Sequence, residues 1–162
     1  PSDRRLMFDI DTRPWNKSGS KIIVCPPTEY FVEAHKVYGW LETTIAQLKQ
    51  YTDRKIIVRK KPKAGDKFVP LEEQLKSAHA LVTHSSNVAI ESVCLGTPVF
   101  VSETSAASSV GLTDLSLIEQ PIYPDRDIWL NNLTYSQFTF DEFKSGAFFN
   151  IFKSYYSFKD IT

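Results

Sequence analysis

The residues Thr83-His84-Ser85-Ser86-Asn87-Val88-Ala89-Ile90-Glu91 bring hydroxyl, imidazole, carboxamide and carboxylate groups together where an apolar run gives way to a helical pattern. Ser85, Ser86 and Asn87 are residue types that cap a helix, and the pattern stops at Gly96 with Pro98 two residues on. The first turn of such a helix has N–H groups without intrahelical partners and the positive end of the dipole, which suits a phosphate. Glu91 follows one turn along, beside Asn87, within reach of the ribose of a nucleotide held there. Each residue also has a plainer reading. The three capping residues serve any helix, Glu91 is equally a solvated helical glutamate, and His84 equally closes its strand with a hydrogen bond.

The elements that must hold these groups alternate along the chain. Lys21-Ile22-Ile23-Val24-Cys25 is a continuous apolar run closed by Pro26-Pro27, the pattern of a strand buried on both faces and central in a parallel sheet. Thr28 caps a predicted helix in which Tyr30, Ala34, Val37, Tyr38, Leu41, Ile45 and Leu48 keep helical spacing over about five turns. Lys55 to Arg59 reads as a second strand, Pro70 to Ala78 as a short helix, His79 to Val82 as a third strand and Thr97 to Val101 as a fourth. On the helix between the last two, Ala89, Ile90, Val93 and Cys94 fall on one side, with Asn87, Glu91 and Ser92 towards the other. Arg59 closes its strand at the carboxyl end, the edge where open α/β sheets bind ligands. It lies within the stretch from Arg54 to Lys67, which holds seven basic residues and one acid and is otherwise readable as a solvated loop.

Strands alternating with helices on short connections predict an α/β fold, a Rossmann-like three-layer domain with a mainly parallel sheet of at least four strands and carboxyl-terminal helices. Residues 1–20 read as a lead-in or interdomain connector, and 21–162 as a single domain with terminal helices from about residue 125. Asp125 starts one of these through Tyr135, with Ile128, Trp129, Leu133 and Leu130 inward, and Thr139 or Asp141 starts another through Phe152. Glu103 to Leu117 is rich in Ser, Ala and Thr and has no assigned form. Phe143, Phe148, Phe149, Phe152, Tyr155, Tyr156 and Phe158 crowd the tail, either as core of the terminal helices or as a docking patch.

With 162 residues, 42% hydrophobic and 23% charged, the chain suits one globular domain. Nineteen basic residues balance nineteen acids, so general nucleic-acid binding is not expected and any anion site is local. No apolar run approaches the roughly 18 residues of a membrane span. Cys25 and Cys94 have no partners at ligand spacing, nor have His35 and His79, so neither a metal nor a disulfide is expected and the thiols suggest the cytoplasm. The sequons at Asn16 and Asn132 are short enough to arise by chance. No Ser-His-Asp arrangement is legible, and the catalytic residues are left unassigned.

Ser85-Ser86-Asn87-Val88-Ala89-Ile90-Glu91-Ser92-Val93-Cys94-Leu95-Gly96-Thr97-Pro98-Val99 resembles a pattern of GT-B glycosyltransferases. In that pattern a small or hydroxyl residue precedes a helix bearing a glutamate, then Gly-x-Pro and a strand. A similar run occurs in the non-hydrolysing UDP-sugar epimerases. The resemblance covers residues from about Lys21 to Phe149 and is to the carboxyl-terminal, donor-binding domain. It implies that Ser85, Ser86 and Asn87, with His84 nearby, face the pyrophosphate of an NDP-sugar, with UDP-sugar foremost. Glu91 would accept hydrogen bonds from the ribose, and Arg59 and Lys61 would balance phosphate charge. No cofactor or metal is implied beyond the sugar nucleotide as substrate. Ser85-Ser86 stands where many members have a glycine-rich turn. The chain begins at Pro1, and we expect a fragment whose amino-terminal acceptor domain lies elsewhere, as a missing segment or a partner chain. Without that second domain, activity is not expected. An epimerase-like domain and a non-catalytic binding module are the competing expectations.

Overall fold

A computed structural model describes residues 3–10, 12–62, 65–67 and 69–156, and for Tyr155 and Tyr156 the backbone alone. Lys63 of the basic run and Phe158 of the aromatic tail lie outside the described residues. The chain divides into two compact units, Asp11–Pro124 and a second made of Pro1–Ile10 with Asp125–Thr162.

The larger unit is built on a four-stranded parallel sheet. Its strands are β1 (Lys21–Cys25), β2 (Ile56–Val58), β3 (Ala78–Thr83) and β4 (Val99–Phe100), in the order β2-β1-β3-β4. β1 is central, as its unbroken apolar run requires, and Ile22, Ile23 and Val24 are wholly buried. Side chains alternate between the two faces. Ile22, Val24, Ala80, Val82 and Phe100 form one core cluster with Leu48 and Ile118. Against β3 and β4 pack α4 (Leu71–Leu75) and α5 (Val88–Cys94), which bury Leu75, Ala89 and Val93. The predicted α/β architecture with a parallel sheet and carboxyl-terminal helices is therefore present.

The helix expected from Thr28 to Leu48 is two helices, α2 (Glu29–His35) and α3 (Trp40–Tyr51). Lys36 and Gly39 both take the left-handed conformation, at φ 57° and 68°. Gly39 adopts it without a Cβ penalty and forms the start of α3. The apolar spacing runs on across this turn, which is why it misleads. Tyr30, Ala34 and Tyr38 are exposed, while Thr44 and Leu48 are buried. Ser92 is a second correction. Expected on the polar side of α5, it is fully buried because its hydroxyl donates to the Thr97 carbonyl at 3.1 Å. The segment after β4 contains two 3-10 turns, Ser108–Val110 and Leu115–Leu117.

The smaller unit contains α1 (Asp3–Met7), α6 (Asp127–Tyr135), α7 (Phe140–Ser145) and α8 (Ala147–Tyr156). Arg126, not Asp125, is the N-cap of α6 and gives no side-chain cap, while the Asp125 carboxylate one residue earlier accepts from the Asp127 amide at 2.7 Å. The inward face of α6 is Trp129, Leu130, Thr134 and Tyr135, and Ile128, expected inward, is exposed. Thr139 starts α7 through a capping box with Glu142, and Gly146 separates α7 from α8 where one helix was expected. Arg4 is the centre of this unit. Buried to 5% exposure, it donates to the Glu142 carboxylate at 2.6 and 3.1 Å and to the carbonyls of Thr134 and Gln137. Its guanidinium also lies over the rings of Phe8, Tyr135 and Phe138.

Two outcomes follow for stability. Hydrogen bonding to Arg4 holds the Glu142 carboxyl down at about 2 from an ordinary 4.5. A carboxylate depressed in the folded state contributes stability that is complete above its unfolded value and is lost as pH falls from about 4.5 towards 2. Urea unfolding across that window should show the loss in the parent and a flatter acid limb in Glu142→Gln, while Arg4→Met should cost about 2 kcal/mol at neutral pH by leaving the part-buried Glu142 carboxylate and two carbonyls without their donor. In the larger unit Gly96 has φ 85°, and a Cβ there would lie 2.1 Å from the Pro14 carbonyl oxygen. Gly96→Ala should therefore destabilise by about 2 kcal/mol or more, read by thermal melting.

Candidate functional site: a groove at the carboxyl ends of three strands

In the order β2-β1-β3-β4 the chain moves from β1 to one side and then crosses to β3 on the other. The carboxyl ends of β1 and β3 thus border the point at which open α/β sheets leave a ligand crevice. Cys25 pairs with Thr83 at this end, and the Thr83 hydroxyl donates to the Cys25 carbonyl at 2.7 Å. A groove of about 490 Å³ opens there. The loop after β1 contributes Cys25 to Thr28, the loop after β2 contributes Arg59 to Pro62, and the loop after β3 contributes Ser85 to Asn87. Phe31, Leu71, Val88 and Glu91 complete it.

Six of the seven residues singled out in the sequence, Arg59, Lys61, Ser85, Ser86, Asn87 and Glu91, line this groove. They come from two loops and one helix, separated by about a quarter of the sheet-bearing unit. His84 stands behind them. Its Nδ1 lies 3.1 Å from the Ser85 hydroxyl and 3.4 Å from that of Ser102, and its ring rests against Phe31 and Trp40 at centroid distances of 5.3 and 6.4 Å. Burial lowers the His84 pKa from 6.5, and the neighbouring His35 adds to the effect.

The start of α5 differs from the expected cradle of free amides. The Ala89 and Ile90 amides donate to the carbonyls of Ser86 and Asn87 at 3.0 Å, and the Glu91 amide also donates to Asn87. The Val88 amide meets the Ser86 hydroxyl at 3.4 Å. α5 has only seven residues and Asn87 gives it no side-chain cap. The charge and polarity that the groove presents therefore come chiefly from side chains, namely Lys60, Lys61, Arg59, Ser85 and Asn87. Arg59 is itself engaged, its Nη1 donating to the Val69 carbonyl at 2.6 Å and to Gln74 Oε1 at 2.9 Å. It ties the basic loop down as well as carrying charge into the groove. Lys61 and Glu91 are exposed.

Cys25 is 4% exposed, and burial pushes its thiol pKa up to about 11, with Arg59 opposing only in part, which disfavours the thiolate. Among the described residues no group of three or more His, Cys, Asp or Glu side chains could hold a metal ion, and no helix is long and apolar enough to cross a membrane. Sequence reasoning missed the wall formed by Pro26, Pro27, Thr28 and Phe31. The prolines read only as a strand terminator, although their place after the central strand is itself a signal.

No family model, curated protein or solved structure matches the chain. The site therefore has to be read from its own chemistry, which is a polar, cation-bearing groove with a carboxylate at one end and a largely apolar wall opposite.

The state of His84 is open to direct measurement. Its depressed pKa means that the unfolded chain takes up this proton first, so the related stability is complete above about 6.5 and is lost as pH falls through the folded value. In a proton NMR titration its Cε1–H resonance should move at a pH below 6.5, and Phe31→Ala, by admitting water, should move that midpoint up.

Proposed function

We propose that the groove binds the nucleotide part of an NDP-sugar, with UDP-sugar foremost, and that this chain is the donor-binding half of a glycosyltransferase. The observation that carries this reading is the convergence of Arg59, Lys61, Ser85, Ser86, Asn87 and Glu91 on one groove at the strand-order reversal. Lys61 and Arg59 supply positive charge to a pyrophosphate, and Ser85, Ser86 and Asn87 supply short polar groups that fix its orientation. Glu91, one turn from Asn87, has an exposed carboxylate that accepts hydrogen bonds from the ribose hydroxyls. Charge that accumulates on the departing nucleoside diphosphate is met by the same cations. Deprotonation of an acceptor hydroxyl falls to groups supplied by a second domain or chain.

A nucleotide titration tests this. With ¹⁵N-labelled protein, UDP, GDP and CDP should shift the amides of Lys61, Ser86, Asn87 and Glu91 and leave β1 and β3 core amides in place. Glu91→Ala should weaken nucleoside diphosphate binding about fivefold to tenfold at unchanged melting temperature, because its side chain is exposed. Lys61→Ala should weaken it with a shallower dependence on salt than the parent shows. If none of the three nucleotides moves these amides, the donor-site reading is wrong.

A further inference from the structure

A second cleft, of about 610 Å³, opens between α3 and the segment after β4, over the carboxyl halves of β3 and β4. Its chemistry differs from that of the groove. No lysine or arginine lines it, and its one ionised group is Asp114, whose carboxyl is held below the usual range by hydrogen bonds from Ser116. The remaining polar lining is uncharged hydroxyl and carboxamide, including Thr43, Thr44, Gln47 and Thr113. Trp40, half-buried, stands in the wall as a flat apolar surface.

Thr44 is the informative residue. Only 4% exposed, it brings a hydroxyl-bearing side chain to the most deeply set part of this polar lining. Thr43, Gln47 and Thr113 line it as well and are exposed, so their side-chain donors and acceptors are accessible from the cleft. Hydroxyl and carboxamide groups both donate and accept, so the ligand they suit donates and accepts along its whole edge, carries no negative charge beside Asp114, and has a flat C–H face for Trp40. A neutral saccharide ring meets all three conditions, whereas a phosphate fails the second.

We propose that this cleft is a binding site for a neutral saccharide, separate from the nucleotide groove. His84 is the partition between them, since its ring contacts Phe31 of the groove and Trp40 of the cleft. The cleft does not depend on the donor reading, because it is defined by its own uncharged walls.

The test uses the full chain without nucleotide. Methyl glycosides of glucose, galactose, mannose and N-acetylglucosamine are titrated into ¹⁵N-labelled protein, followed by inorganic pyrophosphate in a separate series. At least one glycoside should shift the Trp40 indole and the Thr113 and Ser116 amides while leaving Ser86 and Glu91 unmoved, and pyrophosphate should leave the cleft unmoved. Gln47→Ala, at an exposed helix position, should lower that affinity about fivefold to tenfold with an otherwise superposable spectrum. The proposal is overturned if no glycoside moves the cleft signals, if the glycosides move Ser86 and Glu91 instead, if pyrophosphate moves the cleft, or if Gln47→Ala binds as the parent does. Failure of nucleotides at Ser86 and Glu91 would sink the donor reading and leave this one standing.

Discussion

The pairing of β1 with β3 at the middle of the sheet sets the terms for everything that could bind here. The two strands run side by side from Lys21 with Ala78 to Cys25 with Thr83, and the Thr83 hydroxyl fastens the last pair. Ile22, Ile23, Val24, Ala80 and Leu81 are wholly buried, and burying each large apolar side chain is worth roughly 1.5–3 kcal/mol. The pairing cannot be moved by a residue without turning those side chains to the wrong face. Its carboxyl end is therefore a fixed base, from which the loops after Cys25 and Thr83 leave side by side, with the loop after β2 alongside.

Charge in the groove is organised by a compromise at Arg59. A guanidinium free to swing would offer a bidentate face to a phosphate, at the entropic cost of ordering a long side chain. Here Nη1 is held by the Val69 carbonyl and Gln74, so α4 and the basic loop are joined and the cation is fixed near the Cys25 end. Lys60 and Lys61 remain on the exposed loop, and a compact ammonium on a flexible stem adapts where a fixed fork does not. The short α5 fits this division. With its first amides occupied by local turns, it contributes position for Asn87 and Glu91 more than it contributes a dipole.

The strands were legible because parallel strands buried on both faces read as unbroken apolar runs, and Ile22 to Cys25 and Ala80 to Val82 are such runs. Helix boundaries were less so. Apolar spacing from Tyr30 to Leu48 persists through the turn at Lys36 to Gly39, and periodicity does not register a left-handed residue. Ile128 and Ser92 went wrong for the opposite reason, since residue type suggested a side that tertiary contacts overruled. In the groove, the residues after each strand could be named from topology. The partners of Arg59 and the occupation of the α5 amides could not, because both depend on atoms brought together only by folding.

His84 shows how the place of one proton can set which way a groove hydroxyl points. Its Nδ1 faces the hydroxyls of both Ser85 and Ser102, and Ser102 in turn meets Thr104 at 2.8 Å. When Nδ1 accepts, the Ser85 hydrogen is committed inward and its oxygen turns only lone pairs to the groove. When Nδ1 carries the proton, Ser85 accepts and its own hydrogen is released to donate elsewhere. A phosphate beside Ser85 favours the second arrangement, since only that one presents it with a donor. An anion in the groove would thus bias the imidazole tautomer. Burial lowers the His84 pKa and so favours the neutral ring, the form that has two tautomers.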